Sequence, residues 1–562
     1  DTHYWAEVKS FFGGGEYYLF LYERYSDVRL VGTPPESIGK FGGDTDNWMW
    51  PRHTGDFALF RVYASPDGKP AEYSEDNVPL KPRHHLPISL DGVKEGDFTM
   101  IMGYPGGTDR YLSSFGVNSA IKLYNPNVVK VREEKLNILN KYMRADRALN
   151  IMYASKKARV SNYWKYYIGQ TRGLKRLQVF EKKQDLELQF NEFANLSDSN
   201  KSIYGSVLND IKLAQSELDK TTLPRIYLNE AAWSGPSFIK LARRSDRLIK
   251  ALDSKNDSLI KAATIGFAKE VDNSFKEYDK GVDLDIFVKM MEMYVENVPS
   301  EQLPSILTKM QKKYKGDFIK WGKEIYSKSI FVDKNKMSSF LKKPSAKVIK
   351  KDPCYVVQKS ILDNYFQKVV PQRSGPQKSI QVAERLFIEG LRKMLPNRVF
   401  YPNANFTMRL TYGSVGEYRP GNAVLYDYVT TLDGVMEKMD NDNPEFIVPN
   451  KIVELYSSKD YGPYANQDGE LNVCFISNND ITGGNSGSPV INKNGHLIGC
   501  AFDGNWEAMS GDIAFEHNLQ RTISVDARYI LFIIDKFAGA KNIIEELTLV
   551  KSTSNGEGQI EK

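Results

Sequence analysis

A serine on a glycine-flanked turn lies in the segment Thr482-Gly-Gly-Asn485-Ser486-Gly-Ser-Pro-Val490, followed by Asn494-Gly-His-Leu-Ile-Gly-Cys-Ala-Phe-Asp503-Gly504. Glycines around a serine let the backbone bend tightly and let a reactant approach it closely. The amides of Gly484 and Ser486 can then point into one small volume and receive a carbonyl oxygen as it becomes negative, while the Ser486 hydroxyl attacks the carbonyl carbon. Pro489, Val490 and Ile491, an Asn-Gly turn and the run Leu497 to Phe502 make a β-hairpin signature. Its second strand would wall the pocket for the side chain preceding the bond to be cut. A glycine-rich turn of an unrelated β protein is the bland alternative, and the hairpin at this distance argues against it.

A carboxylate opens an apolar run at Gly55-Asp56-Phe57-Ala58-Leu59-Phe60-Arg61-Val62. An unpaired buried carboxylate is costly, so such a residue calls for a task. Here the task would be to hold a histidine in the right tautomer and stabilise its imidazolium. The pattern resembles the aspartate-led strand of chymotrypsin-like serine proteases, and the order Asp then Ser agrees with that fold. A strand-leading turn cap would be the reading of Asp56 if Ser486 were absent. The same fold places its histidine before the aspartate, where only His3 and His53 lie. His53 is three residues from Asp56, too close to bridge it to a distant serine, and His3 has no strand-loop context. His84 and His85 enter a strand, His496 is in the hairpin turn and His517 is in a polar loop. Each reads as a surface or structural residue, so the chain is expected to hold no general base.

The block Phe41-Gly-Gly-Asp-Thr-Asp-Asn47-Trp48-Met-Trp50-Pro-Arg-His-Thr-Gly-Asp56-Phe-Ala-Leu-Phe-Arg61 is similar to the signature of the bacterial family containing dipeptidyl-peptidases 7 and 11. Val31-Gly-Thr-Pro-Pro-Glu-Ser-Ile-Gly39, Gly103-Tyr-Pro-Gly-Gly-Thr108 and Thr482 to Val490 carry the same resemblance, which extends from about Tyr17 to near Leu549. It implies an α+β fold, a chymotrypsin-like double β-barrel with a large inserted α-helical domain, and release of dipeptides from free N-termini. It further implies a homodimer in the periplasm or at the cell surface of a bacterium. The family's histidine motif, of the Asn-His-His-Cys-Gly type, has no match here. The expectation is therefore a chain lacking an N-terminal portion, with an incomplete first barrel and no activity by itself.

The chain's 562 residues allow several domains, and 41% hydrophobic content supports sizeable cores. A net charge of +6 is mild for this length, and its basic residues alternate with acidic ones along helical segments. No basic patch with interleaved aromatics argues for nucleic acid, and no apolar run approaches a membrane span. No cofactor or metal is expected. Cys354, Cys474 and Cys500 cannot all pair with one another. Cys474 and Cys500 flank the nucleophile loop and read as buried packing residues rather than a disulfide.

Residues 1–125 are turn-rich and β-like, and are assigned to the C-terminal part of a first β-barrel. The pattern turns helical across 126–395, where apolar residues recur at three and four; this is the expected helical cap. Strand-like runs return over 396–550, a second β-barrel with the nucleophile loop and a terminal helix. Residues 551–562 are polar and Gly/Ser-rich, an expected disordered tail.

A dipeptidyl exopeptidase must also bind a protonated α-amine two residues from the cut, through a carboxylate and neutral oxygens. The resemblance points to Asn47, Trp48, Asn162 and Asp503. Asp503 also stands out by itself, as a carboxylate ending an otherwise apolar strand, with a turn aspartate as its alternative. Asn47 could equally make an Asx-turn, and Trp48 could be a core aromatic. Family members that cleave after Asp or Glu carry arginine where this chain has Gly504, so glycine implies an uncharged pocket suited to apolar or aromatic residues. Two other readings stay open: a peptide-binding pseudoenzyme that kept the pocket and lost the base, and a chymotrypsin-like endopeptidase.

Overall fold

The structure is a computed structural model describing residues 3–552 and the backbone of 558–561. It is a mixed helix and sheet protein that divides into two compact units. One comprises Asp1–Leu112, Arg172–Leu177 and Leu391–Lys562, and the other Ser113–Thr171 and Gln178–Gly390.

The first unit carries the strands. They are β1 (Tyr4–Phe11), β2 (Glu16–Glu23), β3 (Val28–Gly32), β4 (Leu59–Ala64), β5 (Val78–Pro79), β6 (Ile88–Ser89), β7 (Phe98–Gly103), β8 (Arg409–Ser414), β9 (Tyr418–Gly421), β10 (Val424–Tyr426), β11 (Val429–Thr431), β12 (Asn472–Ser477), β13 (Ser488–Ile491), β14 (Leu497–Gly504), β15 (Thr522–Asp526), β16 (Leu549–Ser552) and β17 (Gly558–Glu561). The largest sheet runs β11-β12-β15-β14-β13-β7-β8, with β6, β16 and β17 joined off that path. A bridge between Val415 and Ser477 brings the chain after β8 back to the end of β12. Inside this curl, Val93, Ile101, Val415, Phe475, Val490, Ile498 and Ala501 form a fully buried apolar cluster. Along β7 the buried positions alternate with more exposed ones, whereas β12 is buried at every position.

Two assignments made from the sequence are corrected here. Strand β7, placed with the first β region, pairs with β13 and β8; it belongs to the sheet of the nucleophile loop. Pairing across nearly 400 residues leaves no trace in local periodicity, so the chain order of β segments misassigned it. The segment 551–562 is not wholly irregular either, because Leu549–Ser552 and Gly558–Glu561 pair antiparallel. The rest of that tail, 553–557 and 562, lies outside the described residues.

The second unit is helical, with Asn125–Ala145, Asp257–Lys276, Lys280–Asn297 and Pro353–Asn364 among its longer elements. Within the apolar helical repeat, the chain breaks at Glu277–Asp279 and restarts with the Asp279 side chain capping Val282 N. An aspartate competes with the helical ladder through its own side chain, which makes it a good start and a poor interior residue. Phe238, Phe287, Trp321 and Tyr326 pack ring to ring in this unit's core.

Asp352 ties that core together. Its carboxylate accepts from Cys354 N at 2.8 Å, Ser329 Oγ at 2.8 Å and Ile330 N at 2.9 Å. Asp352→Ala removes a cap and strands buried donors, so it should cost about 2–4 kcal/mol. Urea unfolding followed by circular dichroism measures this; Asp352→Asn, which keeps an acceptor, should lose less, and an unchanged midpoint for the alanine variant would contradict it.

Candidate active site

Ser486 sits at the surface on the turn entering β13, and its Oγ lies 3.3 Å from the Phe502 carbonyl oxygen of β14. Three main-chain bonds shape the turn: Asn485 N to Thr482 O (3.1 Å), Ser488 N to Asn485 O (2.9 Å) and Gly487 N to Ala501 O (2.8 Å). Gly484 holds φ at +108°, a region closed to ordinary side chains, and a Cβ there would overlap the Tyr104 carbonyl oxygen. Among the described residues the amides of Gly484 and Ser486 donate to no protein acceptor. Two undonated amides beside a surface hydroxyl are what an oxyanion requires.

The seat of this turn was missed by sequence reasoning. It is the end of β7 and the following Tyr104-Pro105-Gly106. Gly106 N donates to Gly483 O at 2.7 Å, and a Cβ on Gly103 would overlap Asn485 Oδ1 and Ser488 Oγ. The glycines of Gly103-Tyr-Pro-Gly106 were visible as a motif, but what they touch was not.

Asp56 lies three residues before β4 and reaches solvent. Protein packed around its carboxyl raises its pKa; Arg52 opposes the rise and Asp503 adds to it. The Cys500 thiol is pushed up to about 11, mainly by burial, with the Asp56 charge adding to the rise. Asp56 and Asp503 are thus within electrostatic reach of each other, and Arg52 is shared between them.

Asp503 is not the lone carboxylate that the sequence suggested. Arg52 Nη1 donates to its Oδ2 at 2.8 Å, with only 8% and 11% of the two side chains exposed. Trp48 N donates to the same oxygen at 3.1 Å, and Gly504 N to Oδ1 at 2.9 Å. Trp48 adopts φ +64°, costly for an aromatic residue. A Cβ on Gly504 would lie 3.6 Å from the Trp48 ring and 3.0 Å from Ala508 Cβ. Trp48, Asp503 and Gly504 therefore form one cluster. Asn47 precedes Trp48 in the same loop, and Asn162 lies in the helix Arg147–Arg176, in the helical unit. In the strand unit, a cavity of about 320 Å³ is lined by Trp50, Tyr418, Tyr426 and Trp506 together with Arg172 and Glu507.

Among the described residues no histidine is hydrogen-bonded to Ser486, whose Oγ contacts Phe502 O. His53 is buried, and burial together with Lys438 lowers its pKa to about 3. A Cβ on Gly434 would overlap its ring. His85 Nε2 lies 3.0 Å from Thr548 Oγ1, and His517 packs edge-on against Phe515. The cysteines are free thiols. Among the described residues no group of three His, Cys, Asp or Glu side chains is gathered as metal ligands, and no helix is long and apolar enough to cross a membrane.

A turn-borne serine with two open amides is the equipment of a serine peptidase. The chain belongs to the peptidase S46 family, whose model matches residues 1–549. It is 44% identical over 548 residues to Dipeptidyl-peptidase 7 of Phocaeicola vulgatus, covering 97% of this chain and 76% of that one. It is 41% identical over 551 residues to an Asp/Glu-specific dipeptidyl-peptidase of Flavobacterium psychrophilum, with 97% and 76% covered. The crystal structure of Porphyromonas endodontalis DPP11 in complex with the dipeptide Arg-Glu matches with a TM-score of 0.87 at 35% identity, over 97% of this chain and 78% of that one.

Gly484→Ala forces a side chain against Tyr104 and disturbs the amide pair. In a catalytically competent form of the protein it should lower kcat by roughly 10²-fold or more, and the strained backbone should lower the melting temperature as well. Unchanged turnover of a fluorogenic dipeptidyl amide would contradict the assignment of those amides.

Proposed function

We propose that this protein is a serine dipeptidyl-peptidase that releases dipeptides from the free N-termini of oligopeptides. The observation that carries this reading is the cluster that Trp48 makes with Asp503 and Gly504 of β14, the strand that also receives the Ser486 hydroxyl. A carboxylate that close to the nucleophile, on a strand walling the cleft, suits an ammonium held a fixed short distance from the bond to be cut. Ser486 attacks, the Gly484 and Ser486 amides receive the oxyanion, and Asp56 orients a histidine base. Asn47, Trp48 and Asp503 bind the substrate amine, and Asn162 of the helical unit is a candidate for the same role by the family resemblance.

The strand unit is read as a chymotrypsin-like pair of barrels, with β12, β15, β14, β13, β7 and β8 as the second. Membership of the family supports a homodimer acting in the periplasm or at the cell surface. None of the six histidines is placed against Ser486 by a hydrogen bond, so on this reading the 562-residue chain is inert by itself. That same observation favours the second reading, a peptide-binding pseudoenzyme, and the two differ in whether any form of the protein turns over substrate.

Gly504 supports an uncharged pocket and a preference for apolar or aromatic residues before the cut. The relatives include both kinds, those named Dipeptidyl-peptidase 7 and those named Asp/Glu-specific, so the preference rests on this residue. A glycine cannot neutralise a substrate carboxylate, and nearby Asp503 disfavours one further.

Two substitutions test the reading in a competent form of the protein. Asp503→Asn keeps an acceptor for Trp48 N and removes the charge, so KM for free-amine dipeptidyl substrates should rise roughly 10- to 100-fold, the worth of a charge-assisted hydrogen bond. Equal cleavage of acetylated and free substrates by the unmutated enzyme would shift the case to an endopeptidase. Gly504→Arg, for which Ala508 must yield by a few tenths of an ångström, should move preference from Leu-ended towards Asp-ended dipeptides by about 1–3 kcal/mol in kcat/KM. An unmutated enzyme that favours Asp-ended substrates would refute the pocket assignment.

A further inference from the structure

Arg52 has no part in the chemistry described so far, yet it is the most constrained cation near the site. Its Nε donates to Thr54 Oγ1 at 2.9 Å, and its Nη1 donates both to Asp46 O and to Asp503 Oδ2 at 2.8 Å. Thr54 Oγ1 is itself anchored on Phe41 O at 2.8 Å, and the guanidinium lies 5.1 Å over the Phe502 ring. The planar guanidinium is thus locked in place on several sides, as a flexible ammonium would not be.

A carboxylate offers about four acceptor positions. On Asp503, Arg52 and Trp48 N fill Oδ2, while Gly504 N takes one position on Oδ1. One position on Oδ1 is left. The local charges also matter: Arg52 with Asp503 alone is neutral and would hold an added ammonium weakly. Asp56, which lies within electrostatic reach of Arg52, Asp503 and Cys500, makes the group net negative when ionised.

We infer that Arg52 is the positioning residue of the amine-binding site, fixing Asp503 so that a single Oδ1 acceptor faces the substrate ammonium, and serving as the common counter-ion of Asp503 and Asp56. This rests on Asp503 being the amine anchor, as proposed above. It adds a coupling between the two carboxylates. An ammonium docked on Asp503 relieves the repulsion that Asp503 exerts on Asp56, so amine binding and ionisation of Asp56 favour each other. The sign follows: a ligand that lowers the pKa of Asp56 binds more tightly above that pKa, and its affinity falls as pH drops through it.

Calorimetric titration of the 562-residue chain with Leu-Leu-amide and with its N-acetyl form tests the inference without requiring turnover. The unmutated chain should prefer the free amine by ~10-fold or more, as a charge-assisted contact implies. Arg52→Met should lose most of that preference through weaker binding of the free form alone, the acetylated form being unaffected. Arg52→Lys should restore it in part, because a point charge replaces the planar fork. Asp56→Asn should flatten the fall in free-amine affinity at low pH. If Arg52→Met folds and keeps the preference, the inference is overturned. If it does not fold, Arg52→Lys decides: a reduced preference supports the inference, and an unchanged one overturns it. An unmutated chain that binds both ligands equally removes the amine anchor itself, and with it the role of Arg52; Asp503→Asn, which should then change nothing, identifies that outcome.

Discussion

The close approach of two backbones, Gly103-Tyr-Pro-Gly106 and Gly483-Gly484-Asn485, underlies the site. Gly106 N to Gly483 O at 2.7 Å, and overlap with any Cβ on Gly103 or Gly484, leave no room for side chains at the contact. A turn held only at its ends would let the Gly484 and Ser486 amides rotate, and a donor pair aimed at a developing charge works only if it is already in place. The seat is rigid because β7, which ends in Gly103, is paired on both sides, with β13 and with β8. The buried apolar cluster beneath, with Ile101 and Val490 paired across β7 and β13, fixes the register. A slip of one residue would exchange buried and exposed faces along the strand.

A second constraint is electrostatic. Burial raises the pKa of Asp56, and the nearby Asp503 carboxylate adds to the rise. Arg52 answers both, through a buried hydrogen-bonded contact with Asp503 and by opposing the rise at Asp56. Removing one partner of a buried ion pair costs more than the pair contributes, because a bare charge remains. Substitutions at Asp503 or Arg52 therefore report on packing as well as on recognition, and conservative pairs such as Asp/Asn and Arg/Lys are needed to separate the two.

Much of the site was legible in the chain because its chemistry is local. The Gly484–Gly487 turn, the hairpin behind Ser486, and Asp56 just ahead of an apolar strand are short-range patterns set by backbone geometry and alternation. The structure keeps the hairpin as β13 and β14. What was hidden is non-local. Asp503 was read as a carboxylate in want of a partner; the want was real, but Arg52, some 450 residues earlier in the chain, already meets it. The pairing of β7 with the nucleophile hairpin was hidden in the same way, as was the break at Asp279 in an otherwise continuous apolar repeat. The burial of His53 against Gly434 likewise depends on tertiary packing that no spacing reveals.

The central claim is that β14 carries the anchor for a substrate's free amine next to the carbonyl that receives the hydroxyl of the attacking Ser486. A crystal structure of the chain with a bound free dipeptide tests this most directly. The account places the dipeptide's ammonium at about 3 Å from Asp503 Oδ1, and the oxygen of its terminal carboxylate at about 3 Å from the Gly484 and Ser486 amides, as hydrogen bonds require. An ammonium held elsewhere, with Asp503 still bound only to Arg52, Trp48 and Gly504, would contradict it.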